Sequence, residues 1–319
     1  MKKRNIIFLV LFLFLVVFSL VKGGFLSGVG DRLKFIRYDN SVEEIVEGDR
    51  EEPAEENMSH NYEGEESQVD KRYSQYPIVS NVRDKDTYYD YANNKLAWWI
   101  KRDDNHQGSG CDDTVDISEY GAYYLDESTE EKVMYLTFDC GYENGYTEQI
   151  LDVLKEENVP ACFFVTKTYI RDNPDLTKRM KEEGHQVGNH TITHPSMPEI
   201  SYEEIINEVN GCAEYMKEAT GYPMDPYLRP PMGEYSERTL AITCDLGFKT
   251  IFWSMAYMDF DVNNQPGADY VINHFEKYHH SGAIILMHNV SSSNAEALKT
   301  VICNLKAEGY RFASLNELE

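Results

Sequence analysis

The chain has 319 residues, 42% hydrophobic and 13% aromatic, enough for one large domain or two small ones around a substantial core. Its formal charge of −25 argues against a nucleic-acid partner, because neutralising phosphates takes clustered Lys and Arg. The acidity is uneven: between Asp39 and Asp70 there are 13 acids against one base, Arg50.

The N-terminus opens with Lys2, Lys3 and Arg4, followed by 16 uncharged residues from Ile6 to Val21. A basic flank before an apolar run is an export signal, although this run falls short of the roughly 20 residues that span a bilayer comfortably. No Ala-x-Ala site follows, and Val21-Lys22-Gly23 is a weak substitute. Residues 1–24 are therefore expected to form a signal-anchor, with a cleaved signal peptide as the alternative. The basic flank stays inside, so the chain is expected to work outside the cytoplasm, tethered to the membrane or released to the wall. Residues 25–72 are acidic and poor in apolar side chains. Such a segment cannot offset the entropy of ordering and is expected to be a solvated linker. From 73 to 131 the sequence is tyrosine-rich and irregular, with Trp98, Trp99 and Asn105-His106-Gln107, which suggests an extension packed on the main domain.

From 132 to 319 short apolar runs alternate with amphipathic ones. Strands are predicted at Val133–Phe138, Ala161–Thr166, His185–Asn189, Tyr227–Arg229, Thr250–Trp253, Ala283–Met287 and Arg311–Ala313. Helices are predicted near Tyr146–Glu156, Pro174–Glu183, Tyr202–Thr220, Ser236–Leu246, Ala268–Tyr278 and Asn294–Glu308. Strand–helix alternation at this spacing implies a parallel sheet covered by helices, and seven such units suggest an α/β fold, a distorted (β/α)7 TIM-like barrel. The six cysteines show no C-x-x-C pair; export permits disulfides, but the spacing nominates none, and Cys162 reads as a small core residue.

Nearly every reactive side chain falls just after a predicted strand, where active sites of parallel barrels assemble. Asp139 ends the first run, His190 and His194 follow the third, Arg229 opens Arg229-Pro230-Pro231-Met232-Gly233, Asp259 lies beyond Trp253, and His288 closes Leu286-Met287-His288. Each has an ordinary reading alone: a capping Asp, a satisfied core His, a stiff Arg-Pro-Pro turn. An H-x-x-x-H pair on one helical face would suit a metal. Together the set offers a metal-ligand pair, a carboxylate base, a fixed cation and a second histidine.

Thr137-Phe138-Asp139, His190-Thr191-Ile192-Thr193-His194, Arg229-Pro230-Pro231-x-Gly233 and Leu286-Met287-His288 resemble the ordered motifs of the NodB-type polysaccharide deacetylases (carbohydrate esterase family 4). Within that family, the runs Thr137–Thr147 and Val290–Leu298, with Asn105-His106-Gln107, resemble the delta-lactam-biosynthetic de-N-acetylases of spore peptidoglycan. The resemblance implies that Asp139 is the general base, that His190 and His194 hold a divalent metal, zinc above all, and that His288 is the general acid. It further implies that Arg229 fixes Asp139, that Asp259 tunes His288, that a backbone N–H beside Met232 meets the oxyanion, and that Tyr142, Glu143 and Asn144 lie at the substrate. Most of the family carries a second Asp after the base, where this chain has Cys140; a thiolate is a good zinc ligand, so Cys140 is a candidate third ligand, against two histidines and waters. Met232 replaces a common Tyr, Phe260 a common Trp, and Ala256 an Asp. The implied reaction is removal of the acetyl group from N-acetylmuramic acid in peptidoglycan, leading to muramic delta-lactam in spore cortex. It would be carried out by a monomer at the membrane or wall, including the forespore intermembrane space. The alternatives are an N-acetylglucosamine deacetylase and a catalytically silent wall-binding protein.

Overall fold

A computed structural model of the protein describes residues 80–102, 105–108 and 115–318. The expected membrane segment 1–24, the acidic linker 25–72 and Cys111 lie outside them. Among the described residues, no helix is long and apolar enough to cross a membrane.

In chain order the elements are α1 (Lys85–Tyr88), β1 (Leu96–Ala97), β2 (Val133–Cys140), α2 (Thr147–Glu156), β3 (Ala161–Val165), α3 (Lys167–Asp172), α4 (Pro174–Glu182) and β4 (Gln186–Asn189). Then follow α5 (Tyr202–Thr220), β5 (Tyr227–Leu228), β6 (Glu234–Tyr235), α6 (Glu237–Asp245), β7 (Lys249–Thr250), α7 (Ala268–Tyr278), β8 (Ala283–His288), α8 (Ser292–Ala307) and β9 (Arg311–Phe312). The boundaries have local causes. Ser201 and Glu204 form a reciprocal capping box that starts α5, and Gly221, at φ 80°, ends it. Pro174 sits in the first turn of α4, where its missing N–H costs nothing.

Seven strands form one curled parallel sheet in the order β7-β5-β4-β3-β2-β8, with β9 pairing the start of β2. All eight residues of β2 are buried, as expected of a parallel strand covered on both faces. Met134, Leu136, Phe138 and Cys140 join the core beneath the helices. Val133 and Tyr135 join a second cluster with Cys162, Phe164, Tyr227 and Ile284 on the concave side. The expected barrel is closed less completely than a full ring of ladders, because the sheet's two edges meet through isolated bridges, Met255 to Ile285 directly, and Tyr123 to Ile251 and Leu125 to Ala283 through the segment between them. The predicted strand Thr250–Trp253 stops its ladder at Thr250. Beyond that point the Phe252 carbonyl accepts from Arg229, and the Trp253 carbonyl accepts from Trp98 Nε1.

β1 pairs antiparallel with β6, and Trp98 stacks on Phe252 at 4.5 Å. These contacts bring the described part of the N-terminal extension against the loop carrying Met232.

Candidate active site

β2, β4, β5 and β8 run parallel and end together. The register pairs Asp139 with His288 across β2 and β8, and Asn189 with Leu228 across β4 and β5. Side chains that alternate toward the concave side at these ends line a cavity of about 750 Å³, bordered by Asp139, His190, His194, Met232 and His288.

Arg229 is fully buried. Its Nη1 donates to Asp139 Oδ1 at 2.9 Å, Nε to the Ile251 carbonyl at 3.0 Å and Nη2 to the Phe252 carbonyl at 3.2 Å. The guanidinium also lies 4.3 Å above the Phe164 ring. Burial pushes the Asp139 carboxyl up, but Arg229 beside it, together with His190 and His288, outweighs that and holds it below the usual carboxylate range.

His190 Nδ1 is 2.8 Å from the Arg229 carbonyl. A carbonyl only accepts, so Nδ1 carries the proton and Nε2 keeps a bare lone pair, 3.6 Å from Asp139 Oδ2. Burial lowers the His190 pKa to about 4, so the ring is neutral near pH 7. His194 packs edge-on with ring centroids 4.8 Å apart, and burial lowers its pKa too. His190, a neutral imidazole whose other nitrogen is tied to a carbonyl, has the form that ligates a metal, and with His194 beside it the pair fits a divalent ion. The two rings do not share a helical face as the spacing suggested. The segment is a loop in which Thr191 and His194 adopt φ of 68° and 59°, a conformation costing such residues roughly 1–2 kcal/mol each. It is held by Asn189 Oδ1, which accepts from Thr191 N at 2.9 Å, and by Thr191 Oγ1, which accepts from His194 N at 3.1 Å. Glu208, which belongs to no sequence motif, also binds it.

Opposite, His288 Nδ1 is 2.7 Å from Asp259 Oδ1, and Asp259 Oδ2 accepts from His288 N at 2.7 Å. Burial alone would lower the His288 pKa, but Asp259 overrides it and raises it above the ordinary value. With Nδ1 held as a donor, Nε2 is the free nitrogen. Asn294, absent from the predicted site, donates through Nδ2 to Asp259 Oδ2 at 2.6 Å, and Tyr257 OH donates to Asn294 Oδ1 at 2.8 Å. Met232 stands at φ 58° with its side chain 54% exposed. Trp98 N donates to the Gly233 carbonyl at 2.8 Å, which holds this turn.

Three expectations are corrected. Cys140 follows the inward-facing Asp139 on a strand and so points the other way, into the core beneath the helices. Burial pushes its thiol pKa well up. Among the described residues, no three His, Cys, Asp or Glu side chains form a metal-holding cluster. Glu143 does not line the cavity; its Oε1 accepts from Gly145 N and Tyr146 N at 2.6 and 2.9 Å, and its Oε2 accepts from the Thr147 hydroxyl. It caps the start of α2. Asn144 likewise ties the loop to the Val290 carbonyl at 3.0 Å. Of that trio only Tyr142, 51% exposed, borders the cavity. Trp253, and Phe260 at the position of the family's common Trp, border it too, although neither was placed at the site from sequence.

Comparison with known proteins gives a match of residues 126–251 to the polysaccharide deacetylase family model. The peptidoglycan-N-acetylmuramic acid deacetylase PdaA of Bacillus subtilis is 45% identical over 228 residues, covering 71% of this chain and 86% of that protein. A peptidoglycan-N-acetylglucosamine deacetylase of Bacillus cereus is 33% identical over 191 residues, covering 59% of this chain and 88% of that protein. The solved structure of Bacillus subtilis PdaA, a family 4 carbohydrate esterase, aligns with a TM-score of 0.69, covering 71% of this chain and 97% of that one.

Proposed function

Because the chain belongs to the polysaccharide deacetylase family, we propose that it hydrolyses the N-acetyl group of N-acetylmuramic acid in peptidoglycan, giving acetate and a free amine. That amine is what a later muramic delta-lactam, as in spore cortex, requires. The observation that carries the reading is one cavity bordered by both a carboxylate paired with a buried cation, Asp139 on Arg229, and a histidine paired with a buried carboxylate, His288 on Asp259. The muramic assignment is supported by the similarity to PdaA.

In this reading Asp139 Oδ2 removes a proton from the attacking water, since Oδ1 is engaged by Arg229. His288 Nε2 gives a proton to the leaving nitrogen, which departs poorly as an amide anion. The Met232 N–H faces the oxyanion, a donor typically worth about 3 kcal/mol. A divalent cation, which His190 and His194 would hold, supplies Lewis acidity toward the acetamide carbonyl and the water. Imidazole donors suit zinc, and with no third side-chain ligand among the described residues other divalent ions also qualify. The basic flank and apolar run at residues 2–21 support an extracytoplasmic setting, tethered or released at the wall.

The test is acetate release from two substrates. Peptidoglycan glycan with free lactyl-muramate is expected to be deacetylated, and N-acetylglucosamine oligomers are expected to be poor. Cleavage of the oligomers alone would give the site to N-acetylglucosamine, the reading favoured by the Bacillus cereus relative. No release from either would leave a silent wall-binding protein.

A further inference from the structure

The loop between the two candidate metal histidines is fastened from one side by a single carboxylate. Glu208, on α5, is buried. Its Oε2 accepts from Ile192 N and Thr193 N, each at 2.8 Å. Its Oε1 accepts from Thr193 Oγ1 at 2.7 Å. One turn along the same helix, Gly211 lets α5 approach so closely that a Cβ there would lie 2.8 Å from Ile192 Cδ1. Between these, the Val209 carbonyl accepts from Asn189 Nδ2 at 2.8 Å, so α5 also grips the strand end from which the loop leaves. The loop needs such fastening, because Thr191 and His194 both sit at positive φ and revert to ordinary backbone unless their surroundings hold them.

With Cys140 turned into the core, the site depends, among the described residues, on the spacing and aim of the two imidazoles. We propose that Glu208 is a positioning residue that fixes the separation of the His190 and His194 rings for a divalent cation. It acts through the loop backbone rather than through its charge. The inference rests on the reading of the two histidines as metal ligands.

The geometry distinguishes reach from charge. Glu208→Gln keeps the length; its oxygen can take both backbone N–H groups while its NH2 donates to Thr193 Oγ1. Glu208→Asp keeps the charge but is one methylene too short to meet the loop. Zinc affinity is measured by competition with a chromophoric chelator, alongside the melting temperature in EDTA. Glu208→Gln is expected to stay within about threefold of wild type, and Glu208→Asp to bind about 10- to 100-fold more weakly, the range for groups that orient metal ligands. Equal affinity in wild type and Glu208→Asp, or a loss in Glu208→Gln as large as in Glu208→Asp, would overturn the proposal. A wild type that takes up no zinc would instead overturn the metal-ligand reading beneath it. Should Glu208→Asp fail to fold, Thr193→Ala removes one of the three bonds without touching the helix. A several-fold loss of zinc affinity is expected there, and unchanged affinity would equally overturn the proposal.

Discussion

Replacing Asp259 with Asn keeps the side chain's size and removes its charge. Three donors converge on the Asp259 carboxylate: His288 Nδ1, His288 N and Asn294 Nδ2, at 2.7, 2.7 and 2.6 Å. An amide offers one oxygen and one NH2, so at least one of these donors would face another donor. The His288 carbonyl, which only accepts and takes a second bond from Asn294 Nδ2 at 3.1 Å, keeps Asn294 from reversing its own amide to compensate. The main loss falls on the imidazolium, because a hydrogen bond to a charged group contributes about 1.5–3 kcal/mol. At about 1.4 kcal/mol per pH unit, the His288 pKa should fall by roughly one to two units. His288 now titrates above its ordinary value, so it is protonated below that point and loses its proton as pH rises through it. The alkaline limb of kcat/KM should therefore move about one to two units lower in Asp259→Asn, with about 10- to 100-fold less activity just above it. The assay is acetate release against pH with zinc saturating. An alkaline limb that stays in place would refute the pairing of His288 with Asp259 as the source of the acid.

Asp139→Asn should lower kcat by about 10²- to 10⁴-fold, the usual contribution of a general base, while zinc stoichiometry by metal analysis stays that of wild type. Cys140→Ala should leave zinc affinity unchanged in the chelator competition and lower the melting temperature, because it opens a small cavity beneath β2. Lost metal would return the thiol to the site. Met232→Gly should hold or slightly raise the melting temperature, since glycine adopts positive φ without strain and the exposed methionine buries little. Its kcat should stay within about threefold, because the backbone N–H is the working group; a collapse of kcat would assign the work to the side chain.

The parallel strands were legible because strands covered on both faces are continuous apolar runs. All seven predicted strands occur, and the ends of α5 and α7 match at Tyr202–Thr220 and Ala268–Tyr278. Helix α3 was missed because Lys167–Asp172 is a six-residue turn, too short to show a period. The H-x-x-x-H loop was misjudged because helical spacing says nothing of the positive φ at Thr191 and His194. Cys140 was misplaced although strand alternation contained the answer: a neighbour of an inward Asp139 faces outward. Glu208 was invisible for another reason: it belongs to no local motif and reaches the loop only after α5 packs against the sheet. Asn294 stood in the Val290–Leu298 run, but its bond to Asp259 exists only once α8 packs against the sheet.

Mass spectrometry of enzymatically digested glycan, after incubation with wild type or Asp139→Asn, tests the central claim most directly. Acetyl loss confined to muramic residues with wild type, and absent with Asp139→Asn, is the predicted result. Acetyl loss on glucosamine residues, or equal loss with both proteins, would contradict it.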